Sequence, residues 1–165
     1  MDASFAGDWN TSWSDEPSSV MSRTGYVIFY ANCPIIWSSK LQTEIALSTT
    51  ESEYIALSQS LRDVIPLMGL LTELQPALSF SVNTPMVHCT IFEDNKGCID
   101  LVNVPKIRPR TKHIALKYHH FRSFVRNKKI SVQYIETKSQ IADIFTKALN
   151  DVQFAALRSR LIGEF

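Results

Sequence analysis

A chain of 165 residues with 45% hydrophobic content is long enough for one globular core and too short for a second of ordinary size. Seventeen basic residues against sixteen acidic ones leave a net charge of +1, so no global charge announces a nucleic-acid partner and any such signal has to come from clustering. Cys33, Cys89 and Cys98 form no C-x-x-C pair, which argues against a disulfide framework and against zinc, and with no apolar run of membrane-spanning length and no leader after Met1 the chain reads as intracellular and cytoplasmic.

Residues 2–22 lack sustained alternation and read as a loop. Residues 24–30 and 35–39 are β-branched and aromatic, and Asn32-Cys33-Pro34 punctuates them, which predicts a hairpin. Residues 42–47 lead, extended, into Ser48-Thr49-Thr50-Glu51-Ser52-Glu53-Tyr54, where Ser48 and Thr50 each have a glutamate three positions later, the pattern of a capping box. A helix over about 51–74 follows, with a kink or break expected at Pro66 and Gly69. After a turn-rich connection over 78–85, residues 87–92 predict a strand and 97–102 a short helix, and 105–109 break the chain. Residues 111–127 predict a second long amphipathic helix with Ile114, Tyr118, Phe121 and Val125 on its apolar face. A strand over 130–135, a helix over 139–149 and a helical tail complete the order, giving a domain of residues 1–150 and a tail of 151–165. Hairpins first and crossovers later predict an α/β fold with helices packed on a mixed sheet.

Four acids invite a chemical reading. At about 100° per residue, Glu53 lies on the same stripe as Leu57, Leu61, Val64, Met68 and Leu71. A buried carboxylate there costs several kcal/mol unless it is protonated, paired or bound to a metal; the alternative is that Glu53 closes a cap begun by Thr50. Asp94 ends an apolar strand, where ligands bind in α/β sheets, or else it caps the following helix with Asn95 as its rival. Asp143 falls opposite the apolar stripe of its helix, the place of a solvated, dipole-favoured acid. Asp2 carries no local signal.

The charge cluster lies elsewhere. Residues 105–129 hold nine Lys or Arg and no acid, more than half of the chain's seventeen, which predicts a surface for a polyanion. His119 and His120 are adjacent on the predicted helix and do not face one metal, so they read as surface or core-edge residues.

Ser48-Thr49-Thr50-Glu51-Ser52-Glu53-Tyr54-Ile55-Ala56-Leu57, Asp94-Asn95, Arg110-Thr111-Lys112-His113-Ile114 with Tyr118-His119, and Gln140-Ile141-Ala142-Asp143-Ile144-Phe145-Thr146-Lys147 together closely resemble the ribonuclease H domain at the end of the polyprotein of copia-type (Ty1/copia) LTR retrotransposons. Asp2 to Asp8, Ser22 to Tyr26 and Trp37 to Lys40 match further blocks in the same order, so the resemblance covers nearly the whole chain. It implies an RNase H-like α/β fold: a five-stranded mixed sheet with helices on both faces, its first strand truncated because the family has several residues before the position of Asp2. It implies that Asp2, Glu53, Asp94 and Asp143 are the catalytic residues and the ligands of two Mg²⁺ ions, with Mn²⁺ as a substitute. Two such ions activate a water and stabilise the leaving 3′ oxygen.

The implied substrate is the RNA strand of an RNA–DNA hybrid, cut during reverse transcription, and the implied partner is a reverse transcriptase domain upstream in the same polyprotein. Lys106, Arg108, Arg110, Lys112, His113, Lys117 and Arg122 would then hold the nucleic-acid backbone. The alternative is a non-catalytic or decayed module of the same fold that binds hybrid or duplex without cutting. Cellular enzymes of this fold often carry a histidine in the loop before the last carboxylate; Glu136-Thr137-Lys138-Ser139 stands there, which makes Thr137 and Lys138 candidates for that role.

Overall fold

The computed structural model describes residues 1–6, 17–75, 87–104 and 116–163. The hairpin forms as the sequence predicts, but its turn is shorter and earlier: Cys33 and Pro34, expected to interrupt it, open the second strand. Strands β2 (Arg23–Tyr30) and β3 (Cys33–Leu41) pair antiparallel, and the residues between them, Ala31 at φ 51° and Asn32 at φ 62°, both take the left-handed conformation that a tight turn between twisted strands requires. Pro34 is tolerated because β3 lies at the sheet edge.

The loop expected from Asp2 is corrected at its start. Asp2–Ser4 is strand β1 (three residues), antiparallel to β2 with Asp2 opposite Gly25. Three residues are too few to show a period, so the partner strand defines the element. Strands β4 (Cys89–Glu93) and β5 (Ile130–Tyr134) pair parallel. Five strands are therefore present, but in a three-stranded sheet of order β1-β2-β3 and a two-stranded sheet, where the sequence reading expected one sheet. The two approach at Met1, whose backbone nitrogen donates to the Phe92 carbonyl at 3.2 Å, and so short a β1 leaves little backbone with which to build a ladder to β4.

Helix α1 (Thr49–Leu74, 26 residues) runs unbroken through Pro66 and Gly69, against the break expected there. Both residues are exposed, as is Arg62, whose carbonyl loses its helical partner to the proline, while Val64 and Met68 remain buried and hold that segment to the core. The long helix expected over 111–127 is also corrected. Within the described residues it is a 3₁₀ turn (Leu116–His119) followed by helix α3 (Arg122–Arg126), and residues 105–115 lie outside them. Tyr118 on the 3₁₀ turn and Phe121 at the N-cap of α3 are both buried.

Helix α2 (Lys96–Asn103) is the short helix expected after β4. Where a helix was expected over 139–149, the chain makes two 3₁₀ segments, Thr137–Ser139 and Ile141–Phe145. The tail then forms helix α4 (Asp151–Ile162), capped by Asn150 and ended by Gly163 at φ 66°, with Leu157 buried.

Alternation along β2 decides what covers it. Tyr26 on one face donates to Asp63 of α1, while a Cβ at Gly25 on the other would stand 2.5 Å from Thr146 Cγ2 and 2.9 Å from Phe145 Cβ. The sheet is thus sandwiched between α1 and the 141–146 segment. The core beneath α1 is built from Tyr54, Ile55, Leu57 and Leu61 with Leu101 and Val102 of α2, Phe121 and Ile130.

Candidate metal centre

The start of α1 resolves the two roles open to its glutamates. Ser48 is the N-cap, its Oγ accepting from the Glu51 N–H at 3.1 Å, and Glu51 Oε2 accepts from the Leu47 N–H at 2.8 Å. Thr50 instead donates to Asn95 Oδ1 at 3.4 Å. Glu53 is therefore left on the inward face, 6% exposed, with its Oε2 buried and lacking any hydrogen-bond partner among the described residues. Burial, and then the charges of Glu93, Asp2 and Asp94, push the Glu53 carboxyl far above the usual carboxylate range. Gln42 fixes this helix start to the sheet, donating from Nε2 to Thr24 Oγ1 at 3.1 Å and to the Ser52 carbonyl at 2.9 Å.

The second choice resolves in the same direction. Asn95 caps α2, its Oδ1 accepting from the Cys98 N–H at 2.9 Å, so Asp94 is not spent on the cap. Carboxylate oxygens of Asp2, Glu53 and Asp94 lie within 4.8 Å of one another, brought together from β1, α1 and the end of β4. Glu53 and Asp94 open on a cleft of about 480 Å³ that Phe5, Thr49, Asn95 and Lys147 also line, with Asp2 buried behind them.

Asp143 is a correction to periodicity. It is 1% exposed rather than solvated, because Ile141–Phe145 winds as a 3₁₀ turn with about three residues per turn, and a wheel drawn for an α-helix misplaces its faces. Its Oδ1 accepts from Lys147 Nζ at 3.0 Å, and the same Nζ donates to Asp2 Oδ1 at 3.1 Å. Thr146 Oγ1 donates to Asp2 Oδ2. Burial and the Asp2 charge push the Asp143 carboxyl up to about 6, against the opposing pull of Lys147. For Lys147 itself burial works to lower the pKa, but the two aspartates outweigh it and hold the ammonium protonated.

Three members of the site escaped sequence reasoning. Glu93 is fully buried beside Asp94; its Oε1 accepts from the Asn95 N–H at 3.0 Å and its Oε2 is buried without a partner among the described residues. Burial is the main reason its carboxyl rises to about 8. Alternation with buried Ile91 along β4 was the available signal for it. Lys147 stands four residues after Asp143, a spacing that pairs opposite charges on a helix, whereas Thr146 gave no signal of its own.

The basic cluster is placed only in part. Lys106, Arg108, Arg110, Lys112 and His113 lie outside the described residues, as does the side chain of Lys117. Arg122 is turned inward, 8% exposed, with Nη2 donating to the Val104 carbonyl, so it ties α3 to the end of α2 instead of presenting charge to solvent. The histidines take core-edge places: the Tyr54 hydroxyl and His119 Nδ1 share a hydrogen bond at 2.7 Å, and Ser58 Oγ and His120 Nδ1 one at 3.4 Å. Thr137 and Lys138 are exposed on their 3₁₀ turn. All three cysteines are free thiols.

An oxygen-only donor set of three convergent carboxylates, one with an orphaned buried oxygen, fits a hard divalent cation such as Mg²⁺ or Mn²⁺. Without a cation, so many acids in one buried place cannot all remain ionised. Among the described residues no helix is long and apolar enough to cross a membrane.

The chain is 36% identical over 151 residues to the retrovirus-related Pol polyprotein from transposon RE2 of Arabidopsis thaliana, which is 92% of this chain and 10% of that protein. It is 32% identical over 149 residues to the corresponding polyprotein from transposon RE1 of the same plant, covering 90% of this chain and 10% of that one. Against the Pol polyprotein from transposon TNT 1-94 of Nicotiana tabacum the identity is 35% over 162 residues, covering 98% and 11%. No family model matches the chain, and no solved structure matches it. The chain spans about a tenth of the length of these relatives, and by sequence it belongs to the family of retrovirus-related Pol polyproteins of copia-type transposons.

Proposed function

We propose that the chain is the ribonuclease H domain of such a polyprotein, a metal-dependent endoribonuclease that cuts the RNA strand of RNA–DNA hybrids. The observation that carries this reading is the meeting of Asp2, Glu53 and Asp94 within 4.8 Å, from three elements far apart in sequence, with Asp143 joined to Asp2 through Lys147. The strand arrangement supports the matching fold. If the Met1 to Phe92 contact is counted as the seam, the order reads β3-β2-β1-β4-β5, a mixed sheet of five.

In this reading Asp2, Glu53, Asp94 and Asp143 hold two Mg²⁺ ions. When bound, the ions supply an activated water and stabilise the leaving oxygen of a phosphodiester. The chain's own part is placement. Thr146 and Lys147 orient Asp2, Glu93 braces the Asn95 backbone and with it the turn that carries Asp94, and Ser48 with Glu51 sets the register that turns Glu53 inward. The basic run 105–129 supplies cations for the phosphates of the hybrid. A reverse transcriptase elsewhere in the polyprotein would produce that hybrid.

The test is a hybrid labelled on each strand in turn, incubated with the chain in Mg²⁺ or in chelator. RNA-strand fragments formed only in Mg²⁺ are expected. Cutting of both strands alike, or cutting that ignores chelation, overturns the reading.

A further inference from the structure

The Asp2–Asp143 side of the centre differs from the Glu53–Asp94 side, among the described residues, in being bridged by a side-chain cation. One ammonium, Lys147 Nζ, bridges Asp2 Oδ1 at 3.1 Å and Asp143 Oδ1 at 3.0 Å. Both carboxylate side chains are almost fully buried, at 1% and 2% exposed, whereas the lysine side chain is 35% exposed and lines the cleft. The second oxygen of Asp2 is also engaged, by the Thr146 hydroxyl. A divalent ion that joined Asp2 to Asp143 through these oxygens would compete with donors the chain already supplies.

We propose that Lys147 is a built-in competitor for the second metal position: its ammonium and a divalent ion exchange for the same two oxygens, so that the ion enters on this side only as Lys147 swings out into the cleft. The proposal rests on the two-metal reading above and deepens it. The exchange is geometrically open, because the lysine reaches its partners from the solvent side of the cleft and its stem is a flexible chain of four methylenes. The exchange keeps Asp2 and Asp143 compensated throughout, since the monovalent ammonium leaves as a divalent ion arrives and the pair gains one positive charge. It also gives the site an order of filling, with the Glu53–Asp94 side, which no lysine bridges among the described residues, taking an ion before the Asp2–Asp143 side does. The displaced ammonium remains on the cleft wall, where a phosphodiester backbone would pass.

The experiment is an equilibrium titration with Mn²⁺, read by calorimetry and by the electron paramagnetic resonance of free Mn²⁺, on wild type, Lys147→Gln and Lys147→Arg. Lys147→Gln is expected to bind the second ion about tenfold more tightly, since charge-assisted bonds no longer have to be broken, while Lys147→Arg keeps the weak second site. Second-site affinity in Lys147→Gln that is unchanged or weaker overturns the proposal. Should Lys147→Gln fail to fold by circular dichroism, the wild type decides: acylation of Lys147, followed by mass spectrometry, should rise several-fold on adding Mn²⁺. Reactivity that stays level or falls overturns it. Wild type and Lys147→Gln both failing to bind Mn²⁺ at all would instead overturn the metal-centre reading, and the proposal with it.

Discussion

The hydroxyl of Thr146 donates to Oδ2 of Asp2 across 144 positions of sequence. The bond joins the first strand to the end of the last 3₁₀ segment and leaves the aspartate little rotational freedom. Thr146→Val keeps the shape and removes the donor, so a buried carboxylate oxygen loses its partner. A loss of about 1–3 kcal/mol in urea unfolding is expected, together with weaker Mn²⁺ binding. A valine variant as stable as wild type would show that Asp2 is held by Lys147 alone.

Glu53 offers a sharper signature, because its buried Oε2 has no partner among the described residues and its carboxyl faces three other acids. Glu53→Gln removes a charge the metal-free fold has to accommodate. Metal-free stability should rise by about 1–2 kcal/mol. Cleavage in Mg²⁺ should fall by about a hundredfold or more, as for the loss of a metal ligand or its support. Stability and activity moving together would mark Glu53 as structural.

The same buried acids set a pH dependence. Glu93 is raised to about 8 and Asp143 to about 6, burial being the larger cause in each. An acid whose pKa is higher folded than unfolded binds protons on folding, so its contribution is complete below the ordinary carboxylate range and is lost as pH rises through the folded value. In chelator, the urea midpoint should therefore fall between about pH 4 and about pH 8 and be restored by Mg²⁺ at the upper end. A midpoint that climbs over this window in chelator would contradict these assignments.

Gly25 tests the packing that brings Asp143 to the sheet. It stands opposite Asp2, and a Cβ there would meet Thr146 Cγ2 at 2.5 Å and Phe145 Cβ at 2.9 Å. Gly25→Ala should cost about 1–3 kcal/mol of stability by overpacking and should weaken Mn²⁺ binding by displacing the 141–147 segment. Unchanged binding in a folded Gly25→Ala would mean that the segment can shift without disturbing the site.

The legible parts of this chain were those written in local chemistry. The Ser48–Glu51 capping box and the hairpin of β2 and β3 follow from neighbouring residues, whereas local sequence leaves Asp94 and Asn95 as rivals for one cap, a choice decided by the Asn95 Oδ1 bond from the Cys98 N–H. What periodicity missed is decided by partners distant in sequence. A strand as short as Asp2–Ser4 exists because β2 lies beside it, and Asp143 is buried because its segment winds as 3₁₀ against Gly25. Pro66 failed to break α1 because only its exposed side lost a hydrogen bond, while the buried side stayed packed. Arg122 counted as one more cation in a basic run until burial showed it bonded to Val104. By resemblance all four carboxylates had been assigned to one site, and the structure brings three into a single group and ties the fourth to it through a lysine.

The central claim is that these carboxylates form a metal-dependent ribonuclease centre. Its most direct test is the rate of RNA-strand cleavage in an RNA–DNA hybrid, measured in Mg²⁺ for wild type and for Asp94→Asn shown by circular dichroism to be folded. Mg²⁺-dependent cleavage by the wild type and its loss in Asp94→Asn are predicted. Cleavage by folded Asp94→Asn at the wild-type rate would contradict the claim.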